Sequence, residues 1–150
     1  MLGGSGKDLF YVGSADDLVS ELANRGVDTV YVDSVSYTLT ANVENVVFLN
    51  WGERTGTGNS LDNMLLGSDK DNRETLLGKA GNDTLNGMLG KDTLTGGTGA
   101  DVFEFTDASH TGFYSNNRDL ITDLSKSDGD KIDVSVIDAN ENIDEDQAFN

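Results

Sequence analysis

Apolar and polar residues alternate quickly along the first third of this chain, then settle into a slower beat. Leu9 to Val12 is a short apolar run, and Leu18 to Leu22 is apolar enough for a second. Val30 to Val35, Tyr37 to Leu39 and Val46 to Leu49 carry β-branched and aromatic residues with a period near two. That period sends one set of side chains inward and the other outward, so each run predicts a short strand. From Gly78 onward the large apolar positions thin to Leu85, Leu94 and Phe103, one every nine residues.

Glycine and aspartate follow the same nine-residue beat. Gly78 to Asn86, Gly87 to Thr95 and Gly96 to Glu104 are three tandem nonapeptides. Each has Gly at positions 1 and 4, Asp at position 6 and an apolar residue at position 8. A strict period in these three residue types is the mark of a solenoid. Glycine admits positive φ, so positions 1 to 6 can turn tightly with carbonyls facing in. Position 8 then lies on a strand and points to a shared core. Stacked turns would align Asp83, Asp92 and Asp101 with backbone carbonyls, which are hard oxygen ligands suited to Ca²⁺.

Gly3 to Tyr11 is a further complete nonapeptide. Gly26-Val27-Asp28-Thr29-Val30 repeats its positions 4 to 8, 20 residues after Asp8. Asp8 and Asp28 could therefore stack one coil apart and share an ion, or Asp28 could simply open a strand. Gly58 to Leu66 is a degenerate copy with Leu61 for the second Gly and Asn63 for the Asp. Gly67 to Leu77 is two residues too long and places Glu74 where the Asp belongs. The neutral amide and the longer carboxylate mark these two turns as weaker sites.

These repeats resemble the RTX family of secreted, calcium-binding β-roll proteins, whose repeat is Gly-Gly-x-Gly-x-Asp-x-apolar-x. The resemblance implies an all-β, right-handed, elongated parallel β-roll, or β-solenoid, with two nonapeptides per coil and several bound Ca²⁺ ions. In the family the earlier turn of a stacked pair gives the carbonyls of positions 2 and 4 and its carboxylate. The later turn gives the carbonyls of positions 1 and 3 and its own carboxylate. Carried over, one site uses Lys79, Gly81 and Asp83 with Gly96, Thr98 and Asp101. A second pairs Glu74 with Gly87, Leu89 and Asp92. A third uses Met88, Gly90 and Asp92 with Asp119 or its neighbours. A fourth uses Gly97, Gly99 and Asp101 with partners the resemblance does not name. The stretch from Arg118 to Ser135 is similar to the segment after the β-roll of serralysin-type proteases. Asp119 there takes the place of an acidic calcium ligand, while His110 stands where that family usually has Glu and suits a hard cation poorly. Residues 28–46 look like the extension unit seen between RTX arrays.

Charge agrees with this expectation. The 27 acidic residues outweigh 10 Lys and Arg, for a formal net charge of −17. That repels nucleic acid and anionic membrane surfaces and suits neutralisation by divalent cations. There is no Cys, so no disulfide framework, and no apolar run approaches the roughly 20 residues of a membrane span. No N-terminal signal is visible, which fits a family exported by a type I secretion machinery from a C-terminal signal; the tail ending at Asn150 reads as truncated before one. Three regions are expected: 1–57, an extension with one repeat; 58–105, the array; and 106–150, a cap.

Catalytic motifs are missing. His110 is the one histidine, and no zinc helix, nucleophile elbow or phosphate loop occurs. The Asp-rich stretches 69–74 and 128–133 lack the glycine an EF-hand loop needs. Trp51 could be a sugar platform, but a lone Trp reads more readily as packing. The resulting expectation is an extracellular, non-enzymatic calcium module of a larger protein, with a polysaccharide-binding module of an alginate epimerase-like enzyme or adhesin as the alternative.

Overall fold

In the computed structural model, which describes residues 1–23, 26–33, 36–111 and 118–137, the chain winds between two parallel sheets. One sheet has seven strands: β1 (Leu9–Val12), β2 (Thr29–Val32), β4 (Asn45–Phe48), β6 (Met64–Leu66), β8 (Thr84–Asn86), β10 (Val102–Glu104) and β12 (Lys131–Asp133), in that spatial order. The other has five: β3 (Tyr37–Thr38), β5 (Arg54–Thr57), β7 (Glu74–Ala80), β9 (Thr93–Thr98) and β11 (Leu120–Ile121). β1 and β2 neighbour each other in the first sheet; from β2 onward successive strands alternate between the sheets, and every neighbour pair is parallel, which is the β-solenoid the repeat predicted.

The register follows from the repeat. Leu65 pairs with Leu85 and Leu85 with Phe103, while Leu76 pairs with Leu94. All five are fully buried, so position 8 fills the core. The early coils have a fuller core, because their strands turn two residues inward rather than one. Phe10 and Val12, Val30 and Val32, and Val46 and Phe48 are all buried. Gly56 lies opposite them, where a Cβ would come 2.7 Å from the Phe48 ring, so the ring needs a residue without one. Between β10 and β11 the coil is lengthened by a segment containing a short 3-10 turn, Ala108–Thr111.

Two local expectations differ from the structure. The run Leu18 to Leu22 makes only one isolated bridge, Leu2 to Ser20, because Leu18 and Leu22 point outward and Val19 alone enters the core. Trp51 is 65% exposed rather than packed; the Arg54 guanidinium, 5.0 Å from the ring centre, covers Phe48 instead. Val35 and the tail from Asn140 to Asn150 lie outside the described residues.

Candidate metal centre

The turns stack along two edges. The first edge precedes the seven-stranded sheet and holds residues 3–8, 26–28, 39–44, 58–63, 78–83, 96–101 and 123–130. The second precedes the five-stranded sheet and includes turns 67–73 and 87–92. The position 6 residue sits at the mouth of each turn, two residues before a core position.

These carboxylates form a ladder in which each does two different things. One oxygen accepts the backbone N–H of the residue a coil earlier. On the first edge Asn63 N–H donates to Asp83 Oδ1 and Asp83 N–H to Asp101 Oδ1, each at 2.8 Å. On the second, Glu74 N–H donates to Asp92 Oδ1 at 2.7 Å and Asp92 N–H to Asp119 Oδ1 at 2.8 Å. The other oxygen is left over. Oδ2 of Asp28, Asp83, Asp92, Asp101 and Asp119, and Oε2 of Glu74, are buried with no hydrogen-bond partner. A buried acceptor without a donor is costly, and a full column of them needs a physical reason.

The neighbouring backbone supplies that reason. A Cβ on Gly97 would lie 2.0 Å from the Lys79 carbonyl oxygen, and one on Gly99 would lie 2.0 Å from the Gly81 carbonyl oxygen. Both glycines also have positive φ, of 107° and 127°. The carbonyls of positions 2 and 4 are therefore pressed toward the next turn. Position 1 keeps the space beside the orphan oxygen open: a Cβ on Gly96 would sit 2.2 Å from Asp101 Oδ2. Lys79 and Met88 adopt positive φ, 85° and 64°, although they carry side chains. Such strain is typical where a turn is held for function. Carboxylates plus carbonyls, with no nitrogen or sulfur donor, fit Ca²⁺.

Electrostatics point the same way. Burial raises Asp92 to about 8, helped by the charges of Asp119 and Glu74. Asp83 rises to about 6 through burial and then the nearby Asp101 and Asp62 charges. Asp119 rises to about 6 through burial and the Glu74 charge. Asp101 is raised by burial and by Asp130, Asp123 and Asp128. A crowd of buried carboxylates resists ionising until a cation joins it.

The residues read from the sequence lie on turns that stack one coil apart, and Glu74 has a further partner. Lys79, Gly81 and Asp83 face Gly96, Thr98 and Asp101, and Gly81 N–H donates to the Thr98 carbonyl at 3.1 Å. Met88, Gly90 and Asp92 precede Asp119. Asp8 N–H donates to Asp28 Oδ1 at 2.8 Å. Glu74 stacks on Asp92, and Gly87 and Leu89 lie in the turn beneath, but Glu74 also pairs with Arg54 at 3.1 Å; both side chains are buried. Burial raises the Glu74 pKa, and Arg54 opposes that rise.

Several participants were missed. Asp130 stacks beneath Asp101: Asp101 N–H donates to Asp130 Oδ1 at 3.0 Å, and Asp130 Oδ2 accepts from Ser125 N–H at 2.7 Å. Asp123 accepts from the N–H groups of Gly96 at 3.0 Å and Gly97 at 2.8 Å. The available signal was Asp two residues before an apolar residue, as in Asp130-Lys131-Ile132 and Asp119-Leu120-Ile121. Glu44 Oε2 accepts from Asp28 N–H at 2.8 Å and fits the same rule before Val46.

The middle turns use protein donors instead. Arg54 donates to the carbonyls of Asp33, at 2.6 Å, and Asn50. Asn59 Nδ2 donates to the carbonyls of Thr40 at 2.8 Å and Val43 at 2.7 Å. Asn63 is satisfied within its own turn, accepting from Asn59 N–H at 2.7 Å. His110 is buried with its ring nitrogen 3.3 Å from the Thr106 hydroxyl. No described helix is long and apolar enough to cross a membrane.

Known proteins bear on this geometry in two ways. The profile of the RTX calcium-binding nonapeptide repeat matches residues 1–20 and 71–103, in four copies. An endo-1,3-1,4-beta-glycanase, ExsH, from Rhizobium meliloti (strain 1021) is 42% identical over 67 residues. That match covers 45% of this chain but 14% of the glycanase, so it speaks to a segment of that protein. The stacked turns, their spare carboxylate oxygens and the profile match agree: this chain carries RTX calcium-binding nonapeptide repeats.

Proposed function

We propose that this chain is a calcium-triggered folding module of a larger extracellular protein, exported unfolded by a type I secretion machinery and ordered by calcium outside the cell. The observation that carries the reading is the two columns of buried, partnerless oxygens, Asp83 and Asp101 on one edge and Asp92 and Asp119 on the other. Without a cation these groups repel one another across thin coils holding one core residue per strand. With calcium each spare oxygen gains a ligand bond, and the turns are clamped in pairs. Sites are expected between Asp83 and Asp101, between Asp92 and Asp119, and between Asp101 and Asp130. Catalysis, in this reading, belongs to other parts of the parent protein.

Cytosolic calcium is too scarce to fill sites with affinities of roughly 10⁻⁴ to 10⁻³ M, whereas extracellular calcium is sufficient. Binding to the folded state alone then draws the chain into the fold. Circular dichroism in chelator and then in millimolar calcium tests this. The β signal should appear cooperatively with calcium, and Asp83→Ala should remove the tightest step of the titration. Asn63→Ala should cost less, because Asn63 is neutral and already satisfied. A cooperative β-rich fold over 58–130 in chelator, indifferent to calcium, would overturn the proposal.

A further inference from the structure

We infer that Glu21 is the third side-chain ligand of a divalent-cation site formed with Asp8 and Asp28, at the start of the first edge. The inference rests on the calcium-binding reading and adds a ligand that lies outside position 6 of the repeat. One carboxylate oxygen from each of Asp8, Glu21 and Asp28 lies within 4.8 Å of the others. A cation bonded at roughly 2.3–2.6 Å can span such a group.

The side chains are held rather than loosely gathered. Glu21 is 7% exposed and Asp28 is 1% exposed. Their other oxygens are committed: Glu21 Oε1 accepts from Leu22 N–H at 2.7 Å, and Asp28 Oδ1 accepts from Asp8 N–H at 2.8 Å. Glu21 Oε2 and Asp28 Oδ2 have no partner. Asp8 Oδ2 accepts from Gly4 N–H at 2.8 Å. Among the described residues no Lys or Arg forms an ion pair with any of the three, in contrast to Glu74, which has Arg54.

Position in the coil explains why Glu21 arrives there. Leu2 bridges Ser20, so Glu21 follows in register with Gly3, the position 1 glycine of its repeat. In the array, the missing Cβ of position 1 faces the position 6 carboxylate, as Gly96 faces Asp101. Glu21 puts a carboxylate into that inward slot. It reaches to the first turn, where its Oε2 lies 1.5 Å from the place a Gly3 Cβ would take. The segment 21–28 carries only one of the position glycines, Gly26, so a side chain supplies the oxygen that a glycine turn supplies elsewhere. Three carboxylates and no softer donor select a hard cation. The larger, more tolerant Ca²⁺ suits the set better than Mg²⁺, which demands near-octahedral geometry and keeps its waters.

The test compares the whole chain with Glu21→Gln, which keeps shape and removes charge. Bound ions are counted by calorimetric calcium titration, and hydrogen exchange follows the amides of Gly4, Asp8 and Asp28. Glu21→Gln should bind one ion fewer, and the calcium needed to half-protect these amides should rise at least about tenfold. Protection of 78–104 should be unchanged. Gly3→Ala is the second probe: it retains every carboxylate but drives Glu21 from its slot, and should lose the same ion. Magnesium at equal concentration should protect the amides poorly. If the wild-type chain binds no calcium, the wider reading fails. If it binds and both variants bind as many ions at unchanged midpoints, only the role of Glu21 fails. An equal loss of protection in chelator and in calcium would make Glu21 structural and also overturn the inference.

Discussion

At the scale of single residues, what decides each turn is which group meets the spare oxygens and the inward carbonyls. At turn 78–83 no described side chain does so, and the proposed calcium ion would. At Glu74 a guanidinium takes one oxygen, Oε1, while Oε2 stays spare. Arg54 stands one coil before Glu74 in register, donates to it at 3.1 Å, and reaches the carbonyls of Asp33 and Asn50 as well. It thus contacts a carboxylate and two carbonyls, the same oxygen types proposed to ligate calcium further along. Removing one partner of a buried pair strands the other charge and typically costs about 3–5 kcal/mol, whereas replacing both by apolar residues is often neutral. Arg54→Met should lower stability by about that much in saturating calcium, measured by urea unfolding. Arg54→Met combined with Glu74→Leu should recover most of it. A change within about 0.5 kcal/mol in the single variant would show the pair to be solvent-screened. Arg54 could not be read from the sequence as a cation substitute. Its partners Asp33, Asn50 and Glu74 are 21, 4 and 20 residues away, and only coil register brings them together.

At the scale of elements, the array was legible because its chemistry is periodic. Gly, Asp and Leu return at fixed offsets, so Asp83, Asp92 and Asp101 and their turns could be placed before any coordinates. The closing coil was only half legible. Asp119 was found by resemblance; Asp130 and Asp123 were not, because the segment after Glu104 adds residues and breaks the nine-residue count. Ladder partners 18 apart within the array become 27 and 29 apart across this segment. What persisted was Asp followed two residues later by an apolar residue, a strand requirement rather than a repeat requirement. Both edges of the roll end on such residues: Asp119 under Asp92, and Asp130 under Asp101. β11 and β12 cover the ends of β9 and β10, which would otherwise present unpaired strand edges. Asp119→Asn should weaken the closing site on the second edge and loosen 118–124, leaving 78–86 protected in calcium. Hydrogen exchange checks this, and equal protection of both regions in the variant would count against a capping role for Asp119.

At the scale of the whole molecule, the solenoid is a run of carboxylates for which protons and calcium compete. Without metal, burial and then mutual repulsion hold Asp92 near 8 and Asp83 and Asp119 near 6, with Asp101 and Glu74 also raised. In the unfolded chain the same groups titrate near about 4. The metal-free folded state therefore binds more protons than the unfolded state between about pH 4 and pH 8. Stability changes with pH as the protons bound unfolded minus those bound folded, here a negative number. The metal-free fold is thus most stable at acid pH and loses stability as pH rises through 6 and then 8. With calcium the sign reverses, because the ligands must be ionised and protons displace the ion. In chelator, β structure and melting temperature should rise as pH falls from 8 to 5. In millimolar calcium, the calcium midpoint should rise over the same interval. Asp92→Asn should flatten the chelator profile between pH 6 and 8, where Asp92 titrates, and leave the part near 6 to Asp83 and Asp119. A metal-free melting temperature that climbs from pH 5 to pH 8 would mean that these carboxylates do not stand in buried columns, and the account of calcium as their counter-charge would fall with it.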